Sequence, residues 1–254
     1  MPIAVQAHLF TGDSIEEQFH NAARLGVGVE LTGDVVLETG VQRIAEAAQA
    51  AGVRIAALNA GRTHLIHPDY AIREASVHHL RMLMGAAVDL GAQGVVFMAH
   101  YAPGHVLPDL HPYKSAVELE AELLIAQLKT TLLDLADAVG THLLLEHACS
   151  ADTVLLRRLG HAAVIRHKLN DHPNLGLVAN LYHMAAERDL IAAALAENPH
   201  YVHVSDAAHA LPTAVDDGLQ ALKDSGYAGW ITLEAAQSGD LARALDALRT
   251  CGLV

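Results

Sequence analysis

Thiols, aromatic rings and cations are all scarce in this chain, and no part of it stays apolar for long. Its two cysteines, Cys149 and Cys251, are too few for a disulfide framework and lack the CxxC spacing of a thiolate site. The expectation is a reduced, cytoplasmic protein. Aromatic residues make up only 4% of the chain, which disfavours an aromatic-rich β-sandwich. No apolar run reaches the roughly 18 residues of a membrane span. The opening Met-Pro-Ile-Ala-Val-Gln-Ala-His has no basic segment of the kind that begins a signal peptide. Sixteen Lys+Arg face 29 Asp+Glu, a formal net charge of −13. That is the wrong sign for gripping a phosphate backbone, so neither nucleic acid nor membrane is an expected partner.

What is present is aliphatic: 52% of the 254 residues are hydrophobic, enough to bury a large core without covalent staples. Short strand-like runs fall at 3–10, 27–32, 54–60, 94–101, 142–148, 174–180, 201–206 and 229–235. Longer segments with helical periodicity lie between them, among them Ser14–Leu25, Val41–Ala51, Ala71–Leu90 and Ala116–Val139. Continuous apolar runs suit strands buried on both faces, as in a parallel sheet wrapped by helices. Gly26, Gly52, Gly91, Gly140 and Gly226 punctuate the passage from helix to strand, and Ser14 and Glu17 have capping-box spacing. Eight near-even units with no linker and no Gly-rich phosphate loop predict one α/β domain over 1–254, a single (β/α)8 barrel. The segment 102–114, with three prolines and two histidines after strand 4, reads as a lid.

In such a barrel the reactive groups sit where the strands end. His8, Glu30, Asn59, His100, Glu146, His147, Asn180, His203, Asp206 and Glu234 occupy those ends, with His64, His67 and His183 in the loops just beyond. Two carboxylates (Glu146, Glu234), an imidazole (His203) and an amide (Asn180) come from four consecutive strands. Mixed oxygen and nitrogen ligation of this kind suits one divalent cation, Mn²⁺, Co²⁺, Mg²⁺ or Zn²⁺. Two glutamates beside a cation can also exchange a proton with a carbon next to a carbonyl. Glu30 reads either as a substrate contact or as a group orienting a neighbour. Asp206 reads as a partner for a histidine or as a cap. His8, His64, His67 and His100 either line the mouth, with His100 a candidate substrate contact, or form another metal set.

Leu144-Leu-Glu146, Asn180-Leu-Tyr-His183, His203-Val-Ser-Asp206, Leu90-Gly91-Ala92 and the ending Gly226-Tyr-Ala-Gly-Trp-Ile-Thr-Leu-Glu234 together resemble the xylose isomerase-like TIM-barrel superfamily, in its sugar phosphate isomerase/epimerase branch. The resemblance spans the whole barrel. It implies one divalent metal held by Glu146, Asn180, His203 and Glu234, with Glu146 and Glu234 as the catalytic acid and base. It also implies a substrate contact at His183, and often a dimeric or tetrameric assembly.

Two positions depart from the family pattern. Asn180 stands where the resemblance implies an aspartate, and it reads either as a ligand, with a lower nominal ligand charge and lower expected metal affinity, or as a hydrogen-bond partner of His203 that does not touch the metal. His209, a further candidate substrate contact, stands where the ketose epimerases have an arginine. The function implied is a metal-dependent isomerase or epimerase of a small sugar or polyol derivative, working through an enediolate. The alternatives are a dehydratase of an inositol-like or 3-dehydro acid, the endonuclease branch with its several zinc ions, and a weakened barrel that only binds a sugar-like ligand.

Overall fold

Leu143, Leu144 and Leu145 are consecutive and all fully buried, which is possible only if both faces of their strand are covered. In the computed structural model, which describes residues 1–253, Leu143 and Leu145 pack with the helices, while Leu144 points into a small cluster with Ala4, Ala56, Ala57, Val96, Val178 and Tyr201. That second cluster is the floor of a barrel. Its alanines leave room for Tyr201, one of the largest fully buried side chains.

The strands are β1 (Ile3–Gln6), β2 (Gly28–Thr32), β3 (Ile55–Arg62), β4 (Gly94–Met98), β5 (His142–Glu146), β6 (Leu175–Asn180), β7 (Tyr201–Val204) and β8 (Trp230–Leu233). Each pairs in parallel with the next, and β8 closes on β1. The helices are α1 (Ile15–Leu25), α2 (Gly33–Thr39), α3 (Val41–Ala51), α4 (Tyr70–Asp89), α5 (Ala116–Gln127), α6 (Leu133–Val139), α7 (Leu159–Lys168), α8 (Leu181–Ala186), α9 (Ile191–Leu195), α10 (Asp217–Asp224) and α11 (Leu241–Cys251). The chain is a closed (β/α)8 barrel, as its alternation predicts. Among the described residues no helix is long and apolar enough to cross a membrane.

Three local differences from the sequence reading have physical causes. The first apolar run does not continue as strand to residue 10. It leaves the sheet after Gln6 in a 3₁₀ turn, Ala7–Leu9, which turns His8 outward to meet the Ala235 carbonyl at 3.0 Å. The long helix expected over Ala116–Val139 is broken by a π-helical turn at Leu128–Leu132, where Thr130 Oγ1 donates back to the Ala126 carbonyl. At Ser14 only half of the capping box forms. Its hydroxyl accepts from Glu17 N, but the Glu17 carboxylate accepts from Asp13 N instead of Ser14 N. The complete box is at Ser115 and Glu118, opening α5.

The segment 102–114 is anchored at its base. Glu120 of α5 is fully buried, and its carboxylate accepts from the backbone N–H groups of Val106 and Leu107 and meets His105 Nδ1 at 2.9 Å.

Candidate active site

Above the apolar floor the barrel interior becomes polar. Register brings Gln6 opposite Glu30 and Asn180 opposite His203. Glu30, Glu146, Asn180 and His203 are all 2% exposed or less. A group this buried must be paired, and each one is. His203 stands between two carboxylates, with Nδ1 2.8 Å from Glu146 Oε1 and Nε2 2.8 Å from Glu30 Oε2. Glu30 Oε1 accepts from Gln6 Nε2 and Asn59 Nδ2. Asn180 Nδ2 donates to Glu146 Oε1 at 2.8 Å and to Glu234 Oε2 at 2.7 Å. Glu234, just past β8, and His209 are the more open members, with side chains 14% and 30% exposed.

The charges explain the titration of the set. Burial opposes ionisation of His203, but Glu30, Glu146 and Glu234 hold its pKa well above the ordinary imidazole value. Burial likewise pushes Glu234 up, and the positive ring of His203, then His209, bring it down to about 2. Glu30 is lowered in the same way, against its burial, chiefly by His203. His209 is raised by the Glu234 carboxylate, 3.9 Å from its Nε2 and so an ion pair beyond hydrogen-bond reach. The carboxyl groups of Glu30, Glu146 and Glu234 thus surround the one buried ring of His203.

The residues fit a divalent cation in part. One ligand atom each from Glu146, His203 and Glu234 lies within 4.8 Å of the others, a spacing an ion can gather. Glu30 grips the far nitrogen of His203, the arrangement that fixes the ring of a histidine ligand. Asn180 differs from expectation. It turns an amide nitrogen, not an oxygen, to the carboxylates, because its Oδ1 accepts from Tyr182 N and His183 N as the cap of α8.

The other candidates fall around this group. Glu30 lies behind His203, saturated by three partners and 1% exposed, not at the open rim. His183 is buried, and its Nδ1 accepts from Cys149 N. Asp206 caps a turn, accepting from Ala208 N and Ala210 N, while the carboxylate that meets His203 from behind is Glu30. That turn holds His209 at φ 56°, with its ring stacked on Tyr182 at 4.3 Å. His100 packs against His64 at 5.4 Å, with both ring nitrogens buried and unpartnered among the described residues. Burial takes its pKa to about 4. No hydrogen bond or ion pair among the described residues joins it to the carboxylate group.

Sequence reasoning passed over Gln6, Tyr101, Asp152 and Tyr182. Tyr101 donates to Asp152 Oδ1 at 2.5 Å, and Asp152 Oδ2 lies 3.5 Å from Cys149 Sγ and 3.9 Å from His183 Nδ1. Only Gln6 left a readable signal, as a lone amide inside an apolar strand.

No curated protein matches the chain by sequence. Solved structures do match by shape. A 3-keto-D-glucoside 4-epimerase, YcjR, from E. coli superposes with a TM-score of 0.85 at 20% identity, covering 99% of this chain and 100% of that one. A D-psicose 3-epimerase solved with D-fructose gives 0.80 at 15% identity over 100% and 97%. A D-allulose 3-epimerase from Methylomonas sp., in complex with D-allulose, gives 0.79 at 22% identity over 97% and 89%. These likenesses establish the fold. The family model for the xylose isomerase-like TIM barrel matches residues 13–251, nearly the whole closed barrel just described, and the chain belongs to that family.

Proposed function

We propose that this protein is a sugar or polyol isomerase or epimerase that moves a proton on a carbon next to a carbonyl. The observation that carries the reading is the pair Glu146 and Glu234. They come from opposite ends of the β5–β8 arc, and both lie within hydrogen-bond reach of one amide nitrogen at the barrel mouth. A substrate carbon seated between them meets a carboxylate on each side. One group, as the carboxylate, takes the proton, and the C–H electron pair moves into the carbonyl to give an enediolate. The other, which must enter the turnover as the carboxylic acid, gives its own proton to the opposite face. That sequence inverts a centre without oxidant or reductant.

Glu146, His203 and Glu234 would hold a divalent cation, whose chemistry when bound is to polarise the carbonyl and offset the enediolate charge. Glu30 keeps His203 aimed at the mouth. At the rim, Tyr182 stacked on His209 offers a flat face for a sugar ring, and Asp152 offers an acceptor for a hydroxyl. The relatives of like shape include epimerases of ketoses and of a keto-glucoside, which supports a carbohydrate substrate.

The test is solvent exchange. Free ketoses and a 3-keto-glucoside are incubated with the protein and Mn²⁺ or Co²⁺ in D₂O and followed by NMR. Deuterium should enter at the carbon next to the carbonyl, and Glu146→Gln and Glu234→Gln should each slow exchange by about 100-fold or more. Loss of water from the substrate would make the protein a dehydratase instead. No exchange with any of these substrates overturns the reading.

A further inference from the structure

Asn180 carries two duties at once, and they demand opposite chemistry. One end of its side chain faces the backbone N–H groups of Tyr182 and His183, 3.1 and 3.3 Å from Oδ1, where only an acceptor serves. The other end faces Glu146 Oε1 and Glu234 Oε2, 2.8 and 2.7 Å from Nδ2. With a cation present, that second end also calls for an acceptor. An aspartate supplies an acceptor at both ends, whereas an asparagine has one acceptor and one double donor. Turning the amide over would set NH₂ against two N–H donors and C=O against two carboxylates, and all four hydrogen bonds would be lost. The orientation is therefore fixed by both sets of neighbours.

We infer that Asn180 is a donor clamp and not a cation ligand: its NH₂ group bridges Glu146 and Glu234 from the position where a fourth protein ligand would stand. The site is then a three-ligand one, Glu146, His203 and Glu234, held together without a cation by hydrogen bonds. Two consequences follow. The carboxylates do not splay apart when no ion is bound, so the barrel mouth keeps its shape in chelator. An arriving ion must compete with two charge-assisted N–H bonds and receives no compensating oxygen from residue 180, so it binds weakly and exchanges readily. The inference rests on the proposed cation-assisted reading for its binding arm, and its chelator arm stands without that reading.

The test compares the wild type with Asn180→Asp and Asn180→Ser. Serine keeps an acceptor for the α8 cap but cannot bridge the carboxylates. Mn²⁺ binding is measured by calorimetry, and thermal unfolding is followed in EDTA and in excess Mn²⁺. N180D should bind Mn²⁺ at least about tenfold more tightly, because a carboxylate oxygen replaces an N–H. In EDTA it should melt lower than the wild type by about 3 °C or more, since a donor that bridged Glu146 and Glu234 is replaced by a further buried carboxylate facing them. N180S should bind Mn²⁺ no more weakly than the wild type.

Weaker binding by N180S would show that Asn180 does supply a ligand oxygen, and that result overturns the inference. So would equal Mn²⁺ affinity and equal melting in EDTA for wild type and N180D. If none of the three proteins binds Mn²⁺, the cation-assisted function fails. The EDTA comparison alone then decides the clamp, a lower N180D melting point supporting it and an unchanged one overturning it.

Discussion

Glu30 Oε2 lies 2.8 Å from His203 Nε2, directly behind the ring whose other nitrogen meets Glu146. Glu30 can serve there only as a carboxylate. Its Oε1 already accepts from Gln6 and Asn59, and its Oε2 accepts from the histidine, so every partner is a donor.

In Glu30→Gln an NH₂ turned toward Gln6 and Asn59 meets two donors, and an NH₂ turned toward His203 is satisfied only if the ring gives up its Nε2 proton. The expected cost is about 1–3 kcal/mol of stability, read from denaturant unfolding. The loss of the carboxylate also lets the pKa of His203 fall, visible in the NMR titration of its ring. Any divalent-cation affinity should weaken by about 10–100-fold. An E30Q protein with an unmoved His203 titration and wild-type cation affinity would remove Glu30 from the site.

The second prediction concerns pH. His147 is fully buried at the end of β5, and its Nε2 accepts from Asn180 N. Burial, and then the neighbouring His183 ring, takes its pKa down to about 3. In the unfolded chain the same group titrates near 6.5. Below about pH 6.5 the unfolded state binds a proton that the native state refuses. The contribution of His147 is therefore complete above that pH and is lost as the pH falls toward 3. The slope is about 1.4 kcal/mol per pH unit for one proton. His147→Gln, which keeps an acceptor for Asn180 N, should remove about that slope between pH 6 and 4. His203 titrates in the opposite sense, because its native pKa is raised, but it is common to both proteins and cancels in the difference. Identical slopes in wild type and variant would show that His147 is protonated in the native state.

How much of this was legible in the sequence depends on what each position needed. Eight strands and their order follow from apolar runs and glycine punctuation, since a barrel repeats one local rule. Glu146, His203 and Glu234 were legible for a similar reason: a charged group at the end of a buried strand has few other places to go. The sequence leaves the role of Glu30 open between two readings because its partner sits on β7, and only closure of the barrel brings the two together. The run 3–10 puts His8 at the end of a strand because it is apolar almost throughout, and nothing in it marks the 3₁₀ turn that ends β1 at Gln6. The direction of the Asn180 amide depends on where α8 starts, and residue identity alone does not give that. Asp152 and Tyr101 lie in loops whose meeting is a tertiary event.

Gly94 should tolerate no side chain. It opens β4 beside His142 of β5, and a Cβ built there would stand 2.4 Å from the His142 carbonyl oxygen. That oxygen belongs to the neighbouring strand and cannot swing aside as a flexible side chain would. Gly94→Ala should therefore destabilise the barrel by about 2–3 kcal/mol through overpacking against backbone. Gly85→Ala on α4, where a Cβ meets nothing within 4 Å, is the control and should be neutral or slightly stabilising. Thermal unfolding of the two variants side by side decides the point, and equal melting temperatures would contradict it.

The last prediction separates local from global stability. Glu120 buries a carboxylate under the segment 102–114 and satisfies Val106 N and Leu107 N while meeting His105. The other ties of that segment lie toward its two ends, Tyr101 to Asp152 and the bridge of Ala102 to Thr153 at its start and Lys114 to Glu122 at its close, with Val106 packed on the core between them. Glu120→Ala strands two backbone donors and leaves space beneath them, a cost of about 2–4 kcal/mol. Because the segment lies outside the barrel sheet, the cost should fall on local opening before it reaches the global transition. Amide hydrogen exchange across 102–114 should accelerate by about 30-fold or more, and proteolytic nicking should concentrate there, while exchange in β5 and β6 changes little. Uniform acceleration across barrel and segment alike would mean that the anchor is part of the global folding unit and that the segment has no independent opening.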